Sequence, residues 1–177
     1  YKGVSHTYYT MVSWPLAMLG RASGDERYLR AADANLDWVL GHRRPSGWFD
    51  GLRLQRTFLH FIAYPIQGML ETARLTGHEA ALEAATASAW RLLRMFEVRK
   101  WLDGEYGPDW KRSVRYACLT GNAQMSCTWL RLHEMTGDLR WLNAAIKINE
   151  LVKETMPARG EAGTIGGVAG SYPVVVM

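Results

Sequence analysis

The sequence has little of what marks the commoner specialised chemistries. Only two cysteines occur in 177 residues, Cys118 and Cys127. Nine residues apart on one helix, they would point to nearly opposite faces at ~100° per residue, so neither a bridge nor a secreted disulfide framework is expected. Neither these cysteines nor the histidines show a ligand spacing such as Cys-x2-Cys or His-x3-His, and no metal or other cofactor is expected. No apolar run reaches the ~18–20 residues of a membrane-spanning helix. Lys and Arg outnumber Asp and Glu by 21 to 17 but are scattered, and the pair Arg43-Arg44 is too little for a nucleic-acid stripe. The glycines between Gly163 and Gly170 follow no strand, so they read as a flexible loop and not as a phosphate cradle. The chain begins at Tyr1 without a visible leader; the compartment stays open, with the cytoplasm as the default expectation.

Aromatic residues, in contrast, are abundant. Eight Trp and eight Tyr stand in a chain of otherwise ordinary globular composition, 48% hydrophobic and 21% charged. The length suits one domain, taken as residues 1–177.

Three stretches align without gaps: Ser23-Gly24-Asp25-Glu26-Arg27-Tyr28-Leu29, Thr76-Gly77-His78-Glu79-Ala80-Ala81-Leu82 and Thr136-Gly137-Asp138-Leu139-Arg140-Trp141-Leu142. Seven residues after each Gly comes an Ala pair, Ala31-Ala32, Ala84-Ala85 and Ala144-Ala145. Each Gly suits the left-handed position that ends one helix, and the next residue opens another. The segments after the Gly are amphipathic: Leu29, Ala32, Leu36 and Val39 share a stripe, as do Leu82, Ala85, Ala89, Leu92 and Phe96, and Leu142, Ala145, Ile148 and Val152. They read as outer helices. The segments before the Gly, roughly 5–22, 57–75 and 113–135, are poorly charged and aromatic, and read as inner helices. Pro15 and Pro65 are expected to kink or start them. The repeats span about 1–42, 43–98 and 99–156, followed by the start of a fourth unit.

The return loops, Arg43 to Thr57, Lys100 to Ser113 and Pro157 to Pro173, all run from an outer to an inner helix. They must lie at one end of the assembly. Helical hairpins repeating at this length, with inner and outer rows, resemble the α/α toroids, among them the six-hairpin glycosidases, the uronyl epimerases and the sugar 2-epimerases. More narrowly, Asn35-Leu36-Asp37-Trp38-Val39-Leu40, Gly47-Trp48-Phe49, His60-Phe61-Ile62-Ala63-Tyr64 and Cys118-Leu119-Thr120-Gly121-Asn122-Ala123-Gln124 look like bacterial toroid proteins linked to polysaccharide metabolism. The resemblance implies an all-α fold of three hairpins, a partial ring, and a carbohydrate context. An open stack would expose an apolar side at each end. Self-association or a further C-terminal segment is expected to complete it, and Val174, Val175, Val176 and Met177 add to the apolar terminus.

Candidate site residues follow from this arrangement. Loop aromatics Trp48, Phe49, Trp101, Tyr106, Trp110 and Tyr172 are placed to stack on pyranose faces, the alternative being a plug in the barrel end. Glycoside cleavage needs two carboxylates, about 5–9.5 Å apart depending on stereochemistry. Asp50 and Asp109 are the favoured pair, with Asp103 and Glu105 also considered; the alternative is that Asp50-Gly51 and Asp103-Gly104 are turn dipeptides. A lyase or epimerase needs instead a base beside an acidic C–H, a role open to His60 with Tyr64, or to His6, Tyr8 and Tyr9. Gln124 is expected to grip a hydroxyl. His42, His78 and His133 fall on outer helices or helix ends and read as packing residues. The Asp-rich motif of terpenoid cyclases is missing. The function expected is binding or processing of an oligo- or polysaccharide in an aromatic-rimmed cleft, by a hydrolase, lyase or epimerase type of chemistry. The alternative is a non-catalytic helical scaffold for protein interaction.

Overall fold

A computed structural model describes residues 5–52 and 56–173. Inner helices α1 (Thr10–Ser23), α3 (Leu59–Thr76) and α5 (Leu119–Thr136) form one row. Outer helices α2 (Glu26–Leu40), α4 (Glu79–Arg99) and α6 (Leu139–Glu154) form a second row behind it. The hairpin turns are those the repeat predicts. Gly24 and Gly77 close α1 and α3 at φ 71° and 82°, where an L side chain is strained, and Gly137 repeats the geometry. Asp25 and Asp138 then accept from the backbone N–H of Arg27 and Arg140, and His78 Nδ1 accepts from Ala81 N–H. These caps satisfy N–H groups that an isolated helix start leaves open.

Glycine also sets the spacing of the inner row. A Cβ on Gly68 of α3 would lie 2.6 Å from the backbone of Thr10, at the start of α1. One on Gly121 of α5 would meet Leu59 Cγ at 2.6 Å and His60 N at 2.8 Å. The core lies between the rows, built on Leu59, Ile62, Ile66, Met69, Leu92 and Trp129, all buried. Each such side chain contributes roughly 1.5–3 kcal/mol by leaving water. At the far end of the row, Arg131 Nε donates to Glu71 Oε1 at 2.7 Å and Arg74 NH2 to Glu71 Oε2 at 3.2 Å, joining α5 to α3.

The rim holds short strands that the sequence reading does not anticipate. β1 (Thr57–Phe58), β2 (Glu105–Gly107) and β3 (Lys111–Arg112) form an antiparallel sheet, Thr57 opposite Tyr106 and Tyr106 opposite Arg112. β4 (Ala117–Cys118) pairs with β5 (Ser171–Tyr172). Segment 113–118 is therefore not helical, and α5 begins at Leu119. Of the two roles expected of the prolines, kinking or starting an inner helix, the second is excluded. Pro15 and Pro65 lie inside α1 and α3, past their first turn, and start neither helix. A backbone lock recurs at or just before each inner-helix start: Thr7 N–H, in the 3-10 turn (Thr7–Tyr9) that leads into α1, donates to Gly51 O (3.4 Å), Leu59 N–H to Gly104 O (2.9 Å) and Leu119 N–H to Gly170 O (3.1 Å). Asn122, buried in α5, ties the second loop down. Its Oδ1 accepts from Leu102 N–H at 3.0 Å, and its Nδ2 donates to Leu102 O and Cys118 O at 2.9 and 2.8 Å.

Among the described residues, two edges of the stack expose apolar side chains. Val12 and Leu19 on α1 are 64% and 47% exposed, and Leu130 of α5 with Leu139 and Ile146 of α6 mark the other edge. Val174 to Met177 lie outside the described residues.

Two stability outcomes follow. Gly68→Ala, despite alanine's better helix propensity, should lose about 1–3 kcal/mol because the methyl meets rigid backbone. A stable or more stable variant in urea unfolding would show that α1 and α3 can move apart. Asn122→Ala should lose about 2–3 kcal/mol by stranding both polar groups of Leu102, read as a lowered urea midpoint with an unchanged slope.

Candidate functional site

The structure sorts the candidate residues into three places at one end of the fold. The first is a plug. Trp48 and Trp110 are 3% and 4% exposed and meet edge to face with ring centroids 5.5 Å apart. Phe49 and Tyr106 are fully buried beside them in the same cluster. Trp110 Nε1 donates to Ser46 O at 2.9 Å, so its polar edge is satisfied within the protein. The expectation of Trp48 and Trp110 as open stacking faces is corrected: desolvating two large indoles stabilises the loop layer and leaves almost no ring surface for a ligand.

The second place is the wall formed by the inner helices. His60, Tyr64 and Gln67 recur at i, i+4 and i+7 on α3 and share a face. His60 and Tyr64 rings are 6.1 Å apart, and Gln124 Nε2 of α5 donates to Gln67 Oε1 at 3.1 Å. Gln124 Oε1 is buried without a hydrogen-bond partner among the described residues. From the start of α1, His6 stacks on Tyr8 at 5.0 Å, and Tyr8 lies 5.1 Å from Phe61. His6 Nδ1 is fixed by Gly51 O at 3.1 Å. His6, His60, Tyr64 and Gln124 thus stand on one surface, half-buried.

His60 is held from behind. Its Nδ1 lies 3.5 Å from Cys118 Sγ, which caps α5 by accepting from Gly121 N–H. Phe58 stacks against the imidazole at 5.6 Å. Nε2 has no hydrogen-bond partner among the described residues. Burial lowers the imidazole's pKa below the usual value and raises that of the Cys118 thiol. Both groups are therefore favoured neutral, Cys118 as a thiol and not a thiolate nucleophile; in the tautomer whose Nδ1–H donates to Cys118 Sγ, His60 keeps Nε2 as its basic nitrogen.

The third place holds Trp101 and Tyr172, which line a separate small cavity with Leu119, Leu151 and Val152, beside α6. They do not join the His60 surface. Asp50 and Asp109 lie on the loops and share one partner: Arg44 Nε donates to both Asp50 oxygens at 2.9–3.0 Å, and Arg44 NH1 is 3.5 Å from Asp109 Oδ2. Asp109 Oδ1 also accepts from Ser46 Oγ at 2.6 Å. The pair is brought together as an ion-pair network, with a guanidinium where a scissile bond would have to sit. Asp103, fully buried, faces Arg99 Nε at 3.0 Å. His42, His78 and His133 pack at Trp38 O, Asp37 Oδ1 and Asp138 O.

Two features escape the sequence reading. Gln67 does, although its heptad spacing from His60 was available. So does a groove of about 820 Å3 between the first two loops, lined by Arg44, Asp50, Arg56, Pro108, Lys111 and Arg112. Its cations come from separate segments and become neighbours only when β1, β2 and β3 pair.

No protein-family model matches the chain, and no curated protein sequence is significantly similar to it. Solved structures are similar. A cellobiose 2-epimerase from Bacillus thermoamylovorans superposes with a TM-score of 0.71 at 14% identity, over 86% of this chain and 45% of that one. A D-mannose isomerase gives 0.65 at 17% identity, over 84% and 40%. The GH76 alpha-mannanase of Bacteroides thetaiotaomicron gives 0.61 at 15%, over 85% and 44%. The chain spans under half the length of each of these structures. What they share with it is a fold: helical hairpins in inner and outer rows, three hairpins of an α/α toroid.

Proposed function

We propose that this chain is the sugar-handling wall of an α/α toroid, acting by proton transfer in the manner of an epimerase or isomerase. The observation that carries this reading is His60, seated against Cys118 and Phe58 with Nε2 open, beside Tyr64 and Gln124 on the inner-helix face. A neutral imidazole accepts a proton from the carbon next to a sugar carbonyl; the Tyr64 hydroxyl and the Gln124 and Gln67 amides would hold the sugar oxygens. The similar toroids include a cellobiose 2-epimerase and a D-mannose isomerase, which supports this chemistry. Glycoside cleavage by Asp50 and Asp109 is the weaker reading, because both oxygens of Asp50 are committed to Arg44. A scaffold reading gains no support from a wall of half-buried aromatic and amide groups.

The test is exchange of the C2 proton of reducing sugars, cellobiose and mannose, in deuterated water, followed by NMR. The chain should accelerate the exchange, and His60→Asn should abolish it while Asp50→Asn leaves it intact. Because burial keeps His60 neutral to lower pH than usual, the acid limb of the rate should fall below about pH 6.5. An acid limb above that value, or exchange unaffected by His60→Asn, refutes the assignment.

We further propose that the apolar edges at α1 and at α5 with α6 are covered in the working protein, by a second copy or by further hairpins. For this chain alone, light scattering at micromolar concentration should give a mass above the 20.0 kDa of one copy. A clean monomer would refute self-association.

A further inference from the structure

The groove between the first two loops carries more positive charge than the fold uses. Of its cations, Arg44 is bound by Asp50 and Asp109. Arg112 stands 3.9 Å from Asp103, a carboxylate already paired with Arg99 at 3.0 Å. Arg56 and Lys111 have no carboxylate within 4 Å among the described residues. Among the described residues Asp50 is the one acid lining the groove, and it is committed to Arg44. Cations brought together without counter-charges repel one another and raise the local potential.

Their placement is fixed by the sheet. Lys111 and Arg112 form β3, Arg56 directly precedes β1, and β2 runs between the two. With neighbouring strands ~4.8 Å apart, the outer strands stand ~9.6 Å apart. That is about the span of one pyranose carrying a charged substituent. Pro108 and Leu52 add apolar wall, and Ser113 lies at the edge. The volume of about 820 Å3 fits a ligand of a few sugar rings. Guanidinium and ammonium groups converging on one open groove match carboxylate, sulfate or phosphate oxygens.

We propose that this groove is a subsite for the oxyanion of an acidic saccharide, so that the chain handles charged sugars in preference to neutral ones. The proposal rests on the carbohydrate reading above and names its substrate class. Arg56 and Lys111 are the recognising groups, Arg112 assists, and Arg44 is the structural member that shapes the wall.

Calorimetry on the whole chain would test it with four probes: a glucuronate-containing disaccharide, glucose 6-phosphate, cellobiose and inorganic phosphate. One of the two acidic sugars should bind about tenfold or more tightly than cellobiose at low salt. The advantage should shrink as salt rises from about 0.05 to 0.5 M. Whichever acidic sugar binds better assigns the oxyanion as carboxylate or phosphate. The double variant Arg56→Gln, Lys111→Gln should lose the advantage while keeping its thermal midpoint, since neither side chain forms an ion pair among the described residues. Equal binding of acidic and neutral sugars overturns the proposal, as does an advantage that survives in the double variant. Inorganic phosphate binding as tightly as the sugars would mean an adventitious ion only, and also overturns it. Cellobiose exchange that depends on His60, without any preference for acidic sugars, would sink this inference alone and leave the proton-transfer reading standing.

Discussion

The rim depends on one backbone hydrogen bond made three times, from an N–H at or just before the start of each inner helix to a glycine carbonyl of the loop after that hairpin. The first turn of a helix has N–H groups with no partner inside the helix. Here a loop supplies the acceptor, and in doing so folds back over the helix it will not enter. The recurrence at Gly51, Gly104 and Gly170 explains why loops of such different sequence all cover the same end. Two of the three acceptors, Gly51 and Gly104, sit in Asp-Gly pairs. Asp50 and Asp103 add ion pairs to Arg44 and Arg99 on top of the turn.

Once the loops are pinned, their aromatic side chains have an interior to fill. Trp48, Phe49, Tyr106 and Trp110 close the gap above the outer row. That leaves His60, Tyr64 and Gln124 half-buried on the inner-helix face, apart from the charged groove between the loops. Desolvation by the neighbouring rings then does the chemical tuning of His60, and no nearby charge is required.

The hairpins were legible because their signals are local. A Gly in the left-handed region, a cap one residue later and an Ala pair seven residues on are all set within a dozen residues. Gly68 and Gly121 were not legible, since their meaning lies in which backbone crosses them. The strands at the rim are two or three residues long, too short for any alternation to register. The site divided along the same line. His60 and Tyr64 share a face by helical spacing, which the sequence contains. Whether an indole serves as platform or plug depends on a partner more than sixty residues away, as Trp110 and Ser46 show. Composition is the same in both cases.

Ser46 gives the first two loops a common fate. Its carbonyl holds the Trp110 indole and its hydroxyl holds Asp109, two adjacent residues kept at φ 69° and 58°, where non-glycine side chains are strained. The contorted tip of the second loop therefore persists only because the first loop grips it. In evolutionary terms the pair is a single module split across a repeat boundary. A recombination event just after α4, at the seam between the second and third hairpins, would hand the tip to a chain without its grip. Diversification of this rim should proceed by coordinated change in both loops, while the hairpins beneath them remain freely exchangeable.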